Sequence, residues 1–298
     1  MTEINFNIPK GKYVVAVSGG VDSVVLLNLL NKDTNLDLTV AHFDHGIRDD
    51  SFIDRELVEK IARKDNLEFV FLEGKLSKKP SENEAREARY EFLYEVLKST
   101  KSKAIITAHH QDDLIETAIF NIFRGTGRKG LASLNSTDKI IRPLLNIPKK
   151  NIYEYARSHK LEWREDPTNQ DTAISRNHIR HNVIPKLSDA KRRELLVIID
   201  RTGKLNKLID SDILSLLEND SDTKLIDRDL FISLPHAVAK ETMTTWLRQN
   251  SVRDFNSKLI EKLTIAAKTY KNGQKMDVNN EYFLYINKGK LALTERDR

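Results

Sequence analysis

Hydrophobic positions in the first half of the chain come in short dense runs, each stopping at a polar cluster. Residues 13–17 (YVVAV) form a β-branched run too short for a helix; SGGVDS follows, and then VVLLNLL, whose apolar density suits a buried helix. The spacing predicts strand, glycine turn, helix. The alternation recurs: LDLTVAHF and LEFVFLE read as strands, each preceded by a helical stretch, and KAIITAHH follows an amphipathic segment at residues 83–97. Strands separated by helices predict a parallel sheet, whose ligands lie beyond the carboxyl ends of the strands. Three such ends run into SGGVDS, HFDHGIRDD and AHHQDDLIET, so these polar tips are expected to share one pocket.

Beyond KIIRPLL the pattern changes. Pro148, Asp166 and Pro167 cut the chain into shorter helices, and from about Lys191 the periodicity is mainly helical. A hairpin is expected at the end, where YFLYI and LALTE flank a turn over residues 287–290 containing Gly289, with helices supporting the two strands. The expected fold class is therefore α/β. A parallel-sheet domain occupies residues 1–194, and a smaller, mainly helical domain over residues 195–298 ends in a β-hairpin.

Composition narrows the chemistry. The 298 residues, 39% hydrophobic and 31% charged, allow one large core with a satellite domain. No apolar run approaches the roughly 20 residues of a membrane-spanning helix, and MTEINFNIPKGKY carries charge where a signal peptide is apolar, so a cytoplasmic protein without a membrane role is expected. The chain has no cysteine, which excludes disulfides, thiolate zinc sites, iron–sulfur clusters and a cysteine nucleophile. Oxygen and nitrogen groups remain, with magnesium. The net charge of +5 is modest, but residues 124–157 carry eight Lys/Arg against Asp138 and Glu154, and further basic residues flank positions 176–193. Such a local excess suits a phosphate backbone, the alternative being a solvated face.

In SGGVDS, a glycine pair directly after a buried strand lets backbone N–H groups approach an anion. Ser18 and Ser23 add hydroxyl donors, and the following helix points its positive end inward, which makes a phosphate cradle. The alternative is a glycine turn whose Asp22 or Ser23 only caps the helix. G-x-x-x-x-G-K-[ST] is absent, so a Walker-type lysine mechanism is not expected. At the second tip, His42, Asp44 and His45 mix donors and acceptors beside Arg48; two histidines three apart on a turn favour ordinary hydrogen bonds over a transition metal. At the third, His109, His110, Asp112, Asp113 and Glu116 lie where a strand becomes a helix. Asp112 and Glu116 stand one helical turn apart and can face one ligand, their hard oxygens suiting magnesium, while Asp113 and Glu116 also fit a capping-box-like pair. Residues 125–130 match G-x-G-x-x-G, but they follow a helical run, LIETAIFNIF, instead of a strand. Arg128 and Lys129 there suit a loop over a polyanion better than a dinucleotide turn.

In order, SGGVDS, HFDHGIR, NEAREARYEFL, AHHQDDLIETAIFNIFRGTGRKGL, IRPLL, WREDPTN and SRNHIRHNVIP resemble the tRNA(Ile)-lysidine synthetase family of N-type ATP pyrophosphatases, the PP-loop enzymes, across residues 14–185. The resemblance implies a PP-loop domain that splits ATP between its α and β phosphates and adenylates an oxygen. It implies ATP on Ser18, Gly19, Gly20, Val21, Asp22 and Ser23, with His42, Asp44 and His45 completing the nucleotide site, and magnesium on Asp22 and Asp112. Asp22, Asp112, Asp113, Glu116 and Arg124 are the implied catalytic set. Arg48, Arg86, Arg89, Arg128, Lys129, Arg142, Arg176, Asn177 and Arg180 are the implied substrate contacts. From spacing alone, Arg86 and Arg89 read as an exposed helical pair.

The implied substrates are tRNA(Ile) with a CAU anticodon and free L-lysine. The carbonyl oxygen at position two of the wobble cytidine is adenylated, and the lysine ε-amine then displaces AMP to give lysidine. Residues 195–298 correspond to the first accessory domain, expected to grip tRNA although acidic and basic residues there nearly balance; the further domain of longer members is not expected, and a homodimer is compatible with the sequence. Thiolating relatives use cysteine pairs or iron–sulfur clusters, and glutamine-dependent ones need a cysteine nucleophile, neither available in this chain. Argininosuccinate- or NAD-forming synthetases give no reason for the basic stretch. A non-catalytic nucleotide- or RNA-binding module would not need both cradle and acidic helix.

Overall fold

The computed structural model describes residues 4–46, 50–74, 81–165, 176–217, 223–252 and 255–296. The chain divides into two compact units, Met1–Thr202 and Gly203–Arg298. The division falls inside one continuous helix, where no change of composition marks it.

In the first unit, β1 (Gly11–Ala16), α1 (Val21–Leu30), β2 (Leu36–Asp44), α2 (Ser51–Lys64), β3 (Glu68–Glu73), α3 (Glu82–Ser99) and β4 (Ala104–Ile106) alternate. They are followed by α4 (Gln111–Phe123), α5 (Arg128–Leu131), β5 (Ile140–Ile141) and α6 (Lys149–Ser158). The sheet has the order β3-β2-β1-β4-β5 with every pair parallel. β1 is central, and the chain crosses to β2 on one side and to β4 on the other, so the crevice beyond the end of β1 is the switch point where such sheets bind ligands. Successive residues of β1 serve opposite faces. Val15 packs with Val25, Leu26, Val58, Ile152 and Ala156 of α1, α2 and α6, whereas Val14 packs with Phe92, Leu93 and Val96 of α3. A strand covered on both faces has no polar side, which is why YVVAV shows no alternation. Leu26, Leu27 and Leu30 of α1 are completely buried, so truncating any one to alanine costs about 2–5 kcal/mol.

After α7 (Arg176–His178), a π-helical turn (Ile179–Val183) and a 3-10 turn (Ile184–Lys186) lead into α8 (Asp189–Leu217). Leu196 and Ile199 of α8 pack on Leu114 and Ala118 of α4, which anchors the acidic helix from behind.

The second unit contains β6 (Leu225–Asp227), α9 (Arg228–Ser233), α10 (His236–Gln249), α11 (Ser257–Thr269), β7 (Lys275–Asp277), β8 (Tyr282–Asn287) and β9 (Lys290–Glu295). The expected hairpin is β8–β9. Its two turn residues, Lys288 at φ 39° and Gly289 at φ 80°, both take the left-handed backbone that tight hairpins require. The hairpin is not alone, however: β6 and β7 extend it to a four-stranded antiparallel sheet of order β6-β9-β8-β7. Each added strand has three residues, too few to carry a readable alternation. The core beneath holds Phe231, Met243, Trp246 and Leu263, and the Trp246 indole N–H donates to the Thr223 carbonyl at 2.8 Å. Among the described residues, no helix is long and apolar enough to cross a membrane.

Candidate active site

The loop after β1 is shaped by Gly19, whose φ of +90° excludes a side chain without strain. Ser23 locks it: its Oγ accepts the Ser18 N–H at 3.1 Å and donates to the Gly20 carbonyl at 2.9 Å. Neither Asp22 nor Ser23 caps α1. Gly20 is the N-cap and no side chain accepts from the first turn, which leaves those N–H groups to an external anion. From outside the motif, Arg164 donates its backbone N–H to the Gly19 carbonyl at 3.0 Å. Its guanidinium meanwhile binds Asp50 at 2.7 Å and Asp54 at 3.2 Å.

Asp22 lies in the first turn of α1. Its Oδ2 is held by Lys149 Nζ at the start of α6, and its buried Oδ1 accepts no hydrogen bond, with His110 Nε2 3.6 Å away. At the tip of β2, His42 Nδ1 meets the Val17 carbonyl at 2.8 Å, so that nitrogen carries the proton. The opposite Nε2 is a buried acceptor without a partner. Burial holds His42 below the ordinary histidine value, against the pull of the Val17 carbonyl and Asp44. Asp44 accepts the Gly46 N–H at 2.8 Å and the Ser51 hydroxyl at 3.0 Å, pinning the β2 tip to α2. His45 stands edge-on to Phe43, their centroids 4.9 Å apart. Arg48 lies outside the described residues.

At the third tip the cap differs from the expected Asp113–Glu116 pair. His110 is the N-cap of α4: its ring accepts the Asp112 N–H at 3.2 Å, and the Asp113 carboxylate accepts the His110 N–H at 2.9 Å. Glu116 is only 3% exposed and points elsewhere, to Arg180, whose Nε and Nη2 both reach it at 2.9 Å, and to Arg176 at 3.7 Å. Asp112 is bound by Arg192 of α8 at 2.9 Å. These carboxylates have different proton affinities. Burial raises Asp113, but His110, His109, the His110 N–H and Arg180 outweigh it and hold it below the ordinary carboxylate value. For Glu116 burial wins over Arg180 and Arg176, and the group is raised. His109, its Nδ1 2.9 Å from Thr107 Oγ1, is pushed down to about 3, first by burial and then by Arg142, Arg89 and Arg86, against the pull of Asp113.

Arg86 and Arg89 lie over the Tyr90 ring at 4.8 and 5.5 Å, and Arg142, 8% exposed, reaches the Tyr90 hydroxyl at 3.5 Å. These three arginines therefore converge on His109. Arg124 does not join them: it is the C-cap of the 13-residue α4, over the Phe120 ring at 5.4 Å, about 12 to 18 Å along the helix from the acids. Arg128 and Lys129 sit in α5, and Asn177 in α7 beside Arg176. Lys149, Arg164 and Arg192 were not singled out from the sequence. Their motifs, a basic stretch and WRE, were visible, but partners 127, 114 and 80 residues away were not. A cavity of about 570 Å³ at the opposite end of α1, lined by Phe6, Leu30 and Tyr155, is separate from this site.

Magnesium, which the resemblance implies, demands only one or two carboxylates when a nucleotide supplies phosphate oxygens. The unsatisfied Oδ1 of Asp22 beside the loop fits that demand, whereas Asp112 is already engaged by Arg192. Among the described residues, no group of three or more acidic or imidazole side chains forms a metal cluster.

A parallel sheet of this order, with an uncapped glycine loop beyond its central strand and acids on the facing helix, defines an α/β nucleotide-binding protein. Residues 1–187 match the PP-loop domain family, and the chain belongs to it. The tRNA(Ile)-lysidine synthase of Thermotoga maritima is 40% identical over 193 residues, covering 61% of this chain and 47% of that protein. The enzyme of the same name from Nitrosomonas europaea is 33% identical over 276 residues, 86% of this chain and 58% of that one. The one from Lactiplantibacillus plantarum is 30% identical over 94% of this chain and 66% of its own length. The chain thus spans about half the length of the Thermotoga relative it matches. In structure it is similar to the U34-tRNA thiolase NcsA of Methanococcus maripaludis, solved with its 4Fe-4S cluster, at a TM-score of 0.54 and 19% identity over 66% of this chain and 72% of that one, a likeness of fold alone.

Proposed function

We propose that this chain uses ATP to ligate free lysine to the wobble cytidine of the CAU anticodon of tRNA(Ile), through an adenylated cytidine, releasing AMP and pyrophosphate. The observation that carries the reading is the PP-loop domain match over residues 1–187, together with relatives named tRNA(Ile)-lysidine synthase that are 30–33% identical over most of this chain. All three substrates are cytoplasmic, which is where the enzyme is placed.

The pyrophosphate portion of ATP lies on the Ser18–Ser23 loop, where the first-turn N–H groups of α1 donate to no capping side chain. Asp22, with its unsatisfied carboxylate oxygen, would hold magnesium, which would supply charge neutralisation for the pyrophosphate. The cytidine carbonyl oxygen attacks the α phosphate, and the lysine amine then attacks C2 as AMP leaves. With a reference pKa of about 10.4, deprotonating that amine at pH 7 costs about 4.7 kcal/mol, which the site must offset. Two of the three acids of α4 divide the task. Asp113, held ionised, orients the ammonium, and Glu116, whose proton affinity burial raises, takes the proton. Arg86 and Arg89 are offered to the RNA at this pocket with Arg142 behind them on Tyr90, and residues 195–298 add tRNA contacts as an accessory domain to the catalytic residues 1–194.

The test is incorporation of labelled lysine into a tRNA(Ile) transcript bearing CAU, with a methionine tRNA as control. Label on the first alone, lost in Asp22→Ala, is expected. Absence of label despite ATP-dependent pyrophosphate release would keep the adenylation and transfer the assignment to another nucleophile or another RNA.

A further inference from the structure

We propose that Lys149 is the phosphate-binding cation of this loop, parked on Asp22 until magnesium displaces it. The inference rests on the reading of residues 18–23 as an ATP cradle and goes beyond it by assigning a residue outside the motif. The two oxygens of Asp22 are in different states: Oδ2 is held by the Lys149 ammonium, while Oδ1 is buried and accepts nothing. The two side chains are 29% and 25% exposed, so the contact sits at the mouth of the crevice, where an incoming polyanion meets it. Lys149 is the first residue of α6, and its ammonium also rides over the Tyr153 ring at 5.3 Å. A compact ammonium on a flexible four-carbon stem can swing between neighbouring anions, which a planar guanidinium locked in a fork cannot.

Three other cations at the crevice are committed to carboxylates, and Arg86, Arg89 and Arg142 gather instead at Tyr90. Arg164 is on Asp50 and Asp54, Arg180 is on Glu116, and Arg192 is on Asp112. The chain also lacks a Walker lysine. A divalent cation and an ammonium cannot share one carboxylate without repulsion, so magnesium on Asp22 expels Lys149. The nearest new anion is the phosphate that arrives with the metal. Lys149 therefore acts with opposite signs: it opposes metal binding to the empty site and favours nucleotide binding to the loaded one. A purely structural salt bridge would weaken both when broken.

The experiment compares wild type, Lys149→Gln and Lys149→Met in two equilibrium titrations without tRNA or lysine. Mn2+ alone, read as free ion by electron paramagnetic resonance, probes the empty carboxylate. α,β-Methylene-ATP with magnesium, read by calorimetry, probes the loaded site. Removal of the ammonium is expected to tighten Mn2+ by several-fold and to weaken the nucleotide by roughly tenfold or more. Lys149→Met keeps the stem over Tyr153 and guards against a folding defect; both variants should melt with the wild type. Weakening of both ligands together, or an unchanged nucleotide affinity, would overturn the role of Lys149. Failure of the wild type itself to bind the nucleotide would instead overturn the cradle reading.

Discussion

Replacing His109 with glutamine should reduce the acid sensitivity of the first unit. The ring is held at about 3, against an ordinary 6.5, by burial and by Arg142, Arg89 and Arg86. The unfolded chain takes up a proton below about pH 6.5 that the folded chain refuses until about 3, so the stability at stake is fully present above 6.5 and is lost as pH falls toward 3. Integrated between pH 7.5 and 5.0, that one ring costs wild type about 2 kcal/mol. Glutamine has no such titration, and its amide can still reach Thr107 Oγ1, which now lies 2.9 Å from the imidazole. The assay is urea unfolding at both pH values. The two tryptophans, Trp163 and Trp246, fall one in each unit. A shared Trp246→Phe background therefore leaves Trp163 as reporter of the first unit alone. The gap between His109→Gln and its parent should widen in favour of the variant by about 2 kcal/mol on acidification. Parallel loss of stability in both would refute the argument that cation crowding and burial keep this ring neutral.

Glu116→Gln should shift stability by less than about 1 kcal/mol, because burial already disfavours the charge that Arg180 and Arg176 face, yet lysine transfer should fall at least tenfold; equal losses in melting and transfer would remove the catalytic role. Gly19→Ala, at φ +90°, should cost about 1–3 kcal/mol and strongly weaken ATP binding. Gly20→Ala, whose added Cβ would come no nearer than 3.5 Å to Ser18 Oγ, should fold normally in the same thermal melt. Ser23→Ala breaks two loop hydrogen bonds and should lower stability by about 1–2 kcal/mol, with ATP affinity falling alongside in a binding titration.

What could be seen in the sequence was whatever depended on near neighbours. β2 and α1 announce themselves because each is buried over most of its length, β1 by its buried Tyr13–Val15 run, and the hairpin turn because Gly289 marks it. β5, with two residues, and β6, with three, exist only through pairing with distant strands, and β7, though it pairs with its neighbour β8, has too few residues to show an alternation. The site divides the same way. The loop and the acidic helix were legible as motifs, but not which charge meets which: Asp22 with Lys149, Asp112 with Arg192, Glu116 with Arg180. The cap was misplaced by three residues because β4 stops at Ile106, and histidine is an unusual N-cap that no short pattern includes.

The order of the strands also bears on the chain while it is being made. β1, β2 and β3 are complete once residue 73 has been synthesised, and no later strand lies between them in the sheet. The acids of α4 enter only when the three-residue β4 docks on Tyr13–Val15, and Lys149 arrives later still. A ribosome-bound fragment therefore contains the glycine loop before it contains any of the α4 carboxylates, and the two halves of the candidate site are separated in time as well as in sequence.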